Sequence, residues 1–267
     1  MANLSGKAAV VLGAAGRDNM GQHIARAFAD AGAKVVVAGR NAEVLEAFAG
    51  RIGGDWITCD ITSKAEVDAL AATTLERHGK VDIAVNATGW GLLKSMFDIT
   101  EVELAQIVAL QFTGVHHFLA AFVRAMPQGG NLIQISSATT QCLIDDHAAY
   151  IGTKAGSEAL IRCVAKQYGP QGIRANVLSP GFTDTPMTAG SFATPGVADA
   201  FIKEYPLGRL GTSEDIAHAA VWVASDECFM TGQNFQVNGG LTLRRNPTGA
   251  EIGASIGAAM AAANAGN

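Results

Sequence analysis

Ala8-Ala9-Val10-Val11-Leu12-Gly13-Ala14-Ala15-Gly16-Arg17-Asp18-Asn19-Met20-Gly21 joins a short apolar run to a glycine-punctuated turn, and a helix-patterned segment follows over 21–31. A run apolar at every position suits a strand covered on both faces, as parallel strands in α/β proteins are. Glycines at its end permit a tight turn and let backbone amides approach a pyrophosphate at the next helix N-terminus. Glycine turns are common, so the weight lies in the placement between a first strand and a first helix. Gly13, Arg17, Asn19, Met20 and Gly21 are the candidate nucleotide contacts of this loop.

Outward from this unit the same rhythm continues. Strand patterns recur at 34–38, 56–58, 82–86, 131–136, 173–178 and 234–237, and helical patterns at 42–49, 64–78, 101–126, 148–168 and 213–224. Such alternation predicts a doubly wound parallel sheet of about seven strands with helices on both faces, a Rossmann fold. No Pro/Ser-rich linker interrupts it, so residues 1–243 read as a single nucleotide-binding domain. The insertion at 186–205 follows a strand end, where ligands of this fold lie, and reads as a substrate lid. The Ala/Gly-rich stretch 244–267 reads as a frayed or weakly helical tail.

Composition excludes several classes. The 267 residues carry 19 Lys+Arg against 24 Asp+Glu, a net charge of −5, which leaves no basic excess for nucleic acid. With 49% hydrophobic and 16% charged residues the chain is not disordered. Mean hydropathy is +0.21, yet no uninterrupted apolar run reaches bilayer length, so no membrane partner is expected. The N-terminus lacks the layout of a signal peptide. Cys59, Cys142, Cys163 and Cys228 form no C-x-x-C pair, which suits free thiols in a reducing cytoplasm and no metal site.

The second strand ends Val37-Ala38-Gly39-Arg40-Asn41. An acidic side chain here would grip a ribose 2′-hydroxyl and repel a 2′-phosphate. Gly39 offers none, and Arg40 with Arg17 would favour the phosphate, placing NADP ahead of NAD.

Downstream, Ser136-Ser137 precedes Tyr150-Ile151-Gly152-Thr153-Lys154. Tyr150 and Lys154 are i and i+4 on a predicted helix and share a face. A lysine ammonium favours the phenolate, so Lys154 is expected to lower the Tyr150 pKa into range for acid–base work. Ser137, at a strand end, would hold a carbonyl or alcohol oxygen.

In this order the motifs resemble the short-chain dehydrogenase/reductase family over about residues 5–242. The resemblance implies that Asp60 and Ile61 contact the adenine end, and that Asn86-Ala87-Thr88-Gly89 is the turn after the fourth strand. It also implies that Pro180, Gly181, Thr183 and Thr185 lead to the nicotinamide. Ile173-Arg174-Ala175-Asn176, Gly208-Arg209-Leu210-Gly211, Thr231-Gly232 and Val237-Asn238-Gly239-Gly240 resemble its remaining motifs. Three departures stand out. The glycine loop is longer than in the main group and similar to that of bacterial enoyl reductases. Gln111 occupies the place of a catalytic asparagine that holds a water on the proton path. Thr88 replaces an alanine.

The resemblance implies an NAD(P)-dependent oxidoreductase that interconverts a ketone or aldehyde and an alcohol, with NADPH-dependent carbonyl reduction foremost. Ser137, Tyr150, Lys154 and Gln111 would be catalytic. Trp90, Cys142, Leu143, Phe182 and Met187 would line the pocket of an apolar small molecule. Reduction of an activated C=C or C=N bond is the enzymatic alternative, and a nucleotide-binding protein with little catalysis the other. Family members form homodimers or homotetramers through long helices. His116 and His117 read as packed or surface residues, and Asp145, Asp146 and His147 as helix-capping and surface charge.

Overall fold

The computed structural model describes residues 2–265. Its strands are β1 Ala8–Leu12, β2 Lys34–Gly39, β3 Asp55–Thr58, β4 Ile83–Asn86, β5 Gly130–Ile135, β6 Ile173–Pro180 and β7 Asn234–Val237. They form one sheet in the order β3-β2-β1-β4-β5-β6-β7, with every neighbouring pair parallel. The winding reverses between β1 and β4, and that crevice is where such sheets bind ligands.

The helices are α1 Met20–Asp30, α2 Ala42–Ile52, α3 Lys64–His78, α4 Glu101–Val108, α5 Gly114–Ala125 and α6 Ala148–Tyr168. After β6 come α7 Ala189–Phe192, α8 Val197–Ile202, α9 Ser213–Ala224 and α10 Gly249–Ala265. Side-chain alternation along the strands feeds two core layers. Val10 and Leu12 of β1 enter the layer holding Phe118 and Phe122 of α5 and Ile161 of α6. Ala9 and Val11 enter the opposite layer, with Phe28 of α1, Phe48 of α2 and Ile216 of α9. Truncating one such phenylalanine to alanine costs ~3–5 kcal/mol, so the sheet is a firm platform for what its strand ends carry.

Two elements differ from the sequence expectation. The run 101–126 is not a uniform helix: a π-helical turn at Ala109–Thr113 separates α4 from α5. The wide turn presses Gly114 against the Ile61 carbonyl, where a β-carbon would come within 2.8 Å, and turns Gln111 inward. By length and composition the 25-residue run Glu101–Ala125 could cross a membrane, its most apolar window having a mean hydropathy of 1.3; here its α5 part lies on the sheet.

The second difference is that the C-terminal segment packs on a core of its own. Of the two forms expected for this tail, frayed or weakly helical, 249–265 takes the helical one as α10, started by a capping box in which the Thr248 amide donates to Glu251 and the Glu251 amide to Thr248 Oγ1. Residues 266 and 267 lie outside the described part. Buried Ala138, Cys142, Val197, Phe201, Tyr205 and Leu241 form a third, smaller core, on which Ile252 and Ile256 of α10 pack.

Candidate active site

The glycine loop and the turn after β4 meet at the sheet's switch point. A β-carbon on Gly13 would lie 2.6 Å from the Ala87 carbonyl carbon, so only glycine lets the two strand ends approach this closely. Asn19 caps α1: its Oδ1 accepts the Gln22 amide at 3.0 Å and its Nδ2 donates to the Gly13 carbonyl at 2.8 Å. Met20 and Gly21 then begin α1, whose N-terminal amides and dipole suit a phosphate.

Behind this loop, side-chain amides lock neighbouring strands together. Asn86 Nδ2 donates to Gln134 Oε1 at 2.9 Å, and Gln134 Nε2 donates to the Ile135 carbonyl at 2.8 Å. The same carbonyl accepts Lys154 Nζ at 2.9 Å, so the end of β5 holds the lysine. Asn86 Oδ1 also accepts the Thr88 amide and hydroxyl, which fixes the turn to Gly89. The Asn86 and Gln134 side chains are buried, where an unpaired polar group would cost ~1–3 kcal/mol.

Ser137, Tyr150 and Lys154 line one cleft of about 160 Å³ with Asn19, Met20 and Gly21. Ala87, Gly89, Pro180, Gly181, Thr183, Thr185 and Met187 line it too, so most of the predicted site residues converge there. Ser137 Oγ accepts both the Thr139 amide, at 3.2 Å, and the Thr139 hydroxyl, at 2.9 Å. Its own proton is thereby left for an oxygen in the cleft. Lys154 is 3% exposed, with Nζ 5.7 Å from the Tyr150 ring centroid.

The electrostatics depart from the expectation drawn from spacing. Burial pushes the Tyr150 phenol up to about 12, against the pull of its hydrogen bond with Ser137. Burial likewise pushes Lys154 down to about 8, opposed by the Glu158 carboxylate. Lys154 therefore does not bring the Tyr150 pKa below its ordinary value here, because desolvating the phenolate outweighs the favourable contacts. Tyr150 stands as a protonated acid beside a lysine poised to lose its proton.

Gln111 is 1% exposed, and both ends of its amide are engaged. Oε1 accepts the Trp90 amide at 2.9 Å, and Nε2 donates to Thr153 Oγ1 at 2.9 Å. Oε1 and Lys154 Nζ both face Gly89, lying 3.4 and 3.5 Å from where its β-carbon would be. The glutamine thus braces the turn after β4 against α6.

Other sequence-predicted residues lie elsewhere. Arg17 is exposed, and Arg40, its side chain 79% exposed, stands 3.9 Å from Asp60. The expectation of two guanidiniums without a carboxylate is corrected by this pair, since the turn after β3 brings Asp60 to the end of β2. Burial raises the Asp60 pKa, but Thr62 hydrogen bonds and Arg40 outweigh it, and the net shift is downward. Ile61 is buried in the core. Gly39 leaves no room for a side chain: a β-carbon would lie 2.6 Å from that of Ala15.

Of the expected pocket residues, Met187 lines the cleft and Trp90 is tied to Gln111 through its backbone. Cys142 is packed in the third core, while Leu143 is 68% exposed. Phe182 lies with its ring centroid 4.7 Å from Phe192 and 4.4 Å from Phe201.

Three residues were not read from sequence in these positions. His147 does not cap α6 through its side chain but stacks on Tyr150, ring centroids 4.3 Å apart, and burial lowers its pKa. Thr188 Oγ1 donates to the Thr183 carbonyl at 2.6 Å and accepts the Thr185 amide. Pro186 joins it along the cleft wall. Pro186 and Thr188 fall in the 186–205 insertion expected beside the ligand, whereas the sequence marked His147 only for capping and surface charge. A larger cavity of about 360 Å³ lies away from this chemistry, lined by Asp18, His23, Arg26 and Glu214 among others.

Residues 13–242 match the family model described as Enoyl-(Acyl carrier protein) reductase. This chain belongs to the short-chain dehydrogenase/reductase family. The chain is 31% identical over 249 residues to D-threitol dehydrogenase of Mycolicibacterium smegmatis, covering 90% of this chain and 95% of that one. It is 33% identical over 247 residues to the mitochondrial borneol dehydrogenase of Lavandula x intermedia, covering 90% and 92%. Among solved structures, a short-chain type dehydrogenase/reductase from Mycobacterium ulcerans superposes with a TM-score of 0.88 at 26% identity, covering 92% and 93%. The short-chain dehydrogenase/reductase described here is accordingly an NAD(P)-dependent oxidoreductase of small molecules.

Proposed function

We propose that this enzyme reduces a ketone or aldehyde of an apolar small molecule with NADPH, and oxidises the matching alcohol in reverse. The observation that carries the reading is the convergence of Ser137, Tyr150 and Lys154 in the cleft that the glycine loop and Thr185 also line. The glycine-only approach at Gly13 and the α1 N-terminus beside it fit a dinucleotide pyrophosphate. Gly13, Asn19, Met20 and Gly21 would hold that end, Asn86, Ala87 and Gly89 the middle, and Pro180, Gly181, Thr183 and Thr185 the nicotinamide end. A bound nicotinamide nucleotide supplies the hydride.

The chain's own residues do the rest. Ser137 turns its proton from Tyr150 to the carbonyl oxygen and orients it. Tyr150, held protonated by burial, transfers its phenolic proton to that oxygen as negative charge develops. Lys154, fixed by the Ile135 carbonyl, stabilises the resulting phenolate and returns a proton to it. Gln111 holds the Trp90 turn and Thr153 in register with this group, in place of a direct chemical part.

NADPH is favoured over NADH because Gly39 excludes an acidic side chain and Arg40 is open to solvent. The names of the threitol and borneol relatives fit alcohol and ketone chemistry. The description of the matched family model supports reduction of a C=C bond as the second reading. We further infer a cytoplasmic homodimer or homotetramer, in which exposed Val102, Val108 and Phe112 along α4 and the π turn would be covered.

Fluorescence titration with NADPH and NADH, followed by ketone, aldehyde, enone and imine panels, tests the reading. Roughly tenfold tighter NADPH binding and turnover of ketones are expected. Turnover of enones with ketones untouched would replace the reading by the second one, and light scattering at monomer mass would refute the oligomer.

A further inference from the structure

The segment after residue 243 lies beyond the matched family region, yet it is bonded to both walls of the substrate side. Asn246 is 7% exposed, and its side-chain Nδ2 donates to the carbonyls of Cys142 and Leu143. Those carbonyls belong to the loop between β5 and α6, where no strand partner is available to satisfy them. At its far end the same loop carries His147, stacked on Tyr150.

The opposite wall is held by the residues around Asn246. Arg244 donates to the Lys203 carbonyl at 2.7 Å, just after α8, and Arg245 stands 3.8 Å from Glu204 while forking Glu251 at 2.7 Å. The turn at Gly196 touches α10 so closely that a β-carbon would come within 2.5 Å of the Ser255 carbonyl oxygen. Tyr205, in the third core under α10, holds the Phe182 amide through its hydroxyl at 2.6 Å, and Thr183 beside it lines the cleft.

We propose that Asn246 is a positioning residue that, together with α10, pins the Cys142 loop to the α8 side of the lid and so sets which substrates fit the cleft. The proposal rests on the oxidoreductase reading above for its substrate arm only. None of the contacts of Asn246 reaches the glycine loop, β1 or β4. Its loss therefore strands the buried Cys142 carbonyl, frees that of Leu143, and loosens the substrate walls while leaving the nucleotide end in place.

The full chain carrying Asn246→Ala, and separately Asn246→Asp, is compared with wild type by hydrogen–deuterium exchange, NADPH titration and kinetics on straight-chain methyl ketones from 2-butanone to 2-undecanone. Exchange at 139–147 and 186–205 is expected to quicken roughly tenfold, with 13–21 unchanged and NADPH affinity held within about twofold. KM for the ketones is expected to rise roughly tenfold with kcat kept, and the preference among chain lengths to flatten. Asn246→Asp removes the donor at constant size and is expected to match Asn246→Ala. Unaltered exchange at 186–205 in a folded variant overturns the proposal, as does equal loosening at 13–21, which would make the role one of general stability. If wild type turns over no ketone, the carbonyl-reductase reading fails while the exchange pattern still decides the clamp.

Discussion

The nucleotide side and the substrate side of this enzyme are held by different kinds of contact. On the nucleotide side, bonded residues sit on adjacent strand ends, as where Gly13 abuts Ala87 and Asn86 pairs with Gln134. On the substrate side, the contacts join segments outside the sheet: Asn246 reaches the Cys142 carbonyl and Tyr205 the Phe182 amide. The first arrangement follows from the sheet and varies only if the sheet does. The second can be rebuilt by changing loops, so one scaffold keeps its cofactor chemistry while its substrate changes.

Tyr150→Phe breaks the comparison most sharply, because Tyr150 faces both sides. Turnover should fall by about 10³-fold or more while NADPH titrates within about twofold of wild type, since only the transferred proton is lost. Steady-state kinetics beside fluorescence titration checks both halves. Retained turnover would place the acid elsewhere in the cleft.

The next effect separates the two sides by pH. Lys154 belongs to the nucleotide side and sits at about 8, so carbonyl reduction should decline by about tenfold per pH unit above that value. Stability moves the other way. The unfolded chain keeps the Lys154 proton up to 10.5 whereas the folded one releases it from about 8, so this group's contribution to stability rises between those values. A pH–rate profile and thermal melts of wild type against Lys154→Met test the pair of signs.

Sequence reading reached the sheet that frames the nucleotide side, but not the Arg40–Asp60 pair or the burial of Ile61, and it reached the substrate side only in outline. The seven strands were legible because their period and their glycine ends are local properties. Ser137, Tyr150 and Lys154 were legible because one helix face and one strand end carry them. The packing of α10 on the third core was not, since Ala and Gly give weak periodicity; the Thr248-Gly249-Ala250-Glu251 capping signature was its one local mark. The stacking of His147 on Tyr150 and the burial of Cys142 depend on how loops close, which no spacing rule states. The upward shift of Tyr150 was missed for the same reason: i,i+4 spacing gives proximity to Lys154 and says nothing of desolvation.

Gln111 links the two sides and sharpens the contrast by a smaller amount. Gln111→Ala leaves the Trp90 amide without its acceptor and opens a space beside Thr153, costing ~2–3 kcal/mol of stability. Denaturant unfolding at constant slope should report this loss. Gln111→Asn keeps the amide but shortens its reach, so it should recover one of the two bonds and about half of the stability. Full recovery would mean that the π turn relaxes to let the shorter side chain span both partners.

The smallest expected effect is at the edge of the nucleotide side. Arg40 is mostly in solvent, so its contact with a 2′-phosphate would be screened, and Arg40→Ala should weaken NADPH binding only by roughly three- to tenfold. NADH binding should hold or improve slightly, because Asp60 loses its cation and becomes free to accept a ribose hydroxyl. The loss for NADPH should shrink as salt rises from about 0.01 to 0.15 M, where the Debye length falls from about 30 to 8 Å. A loss independent of salt, or equal for both nucleotides, would show that Arg40 supports the end of β2 instead of reading the phosphate. Preference would then rest on Gly39, where the missing side chain excludes a carboxylate and no cation is required.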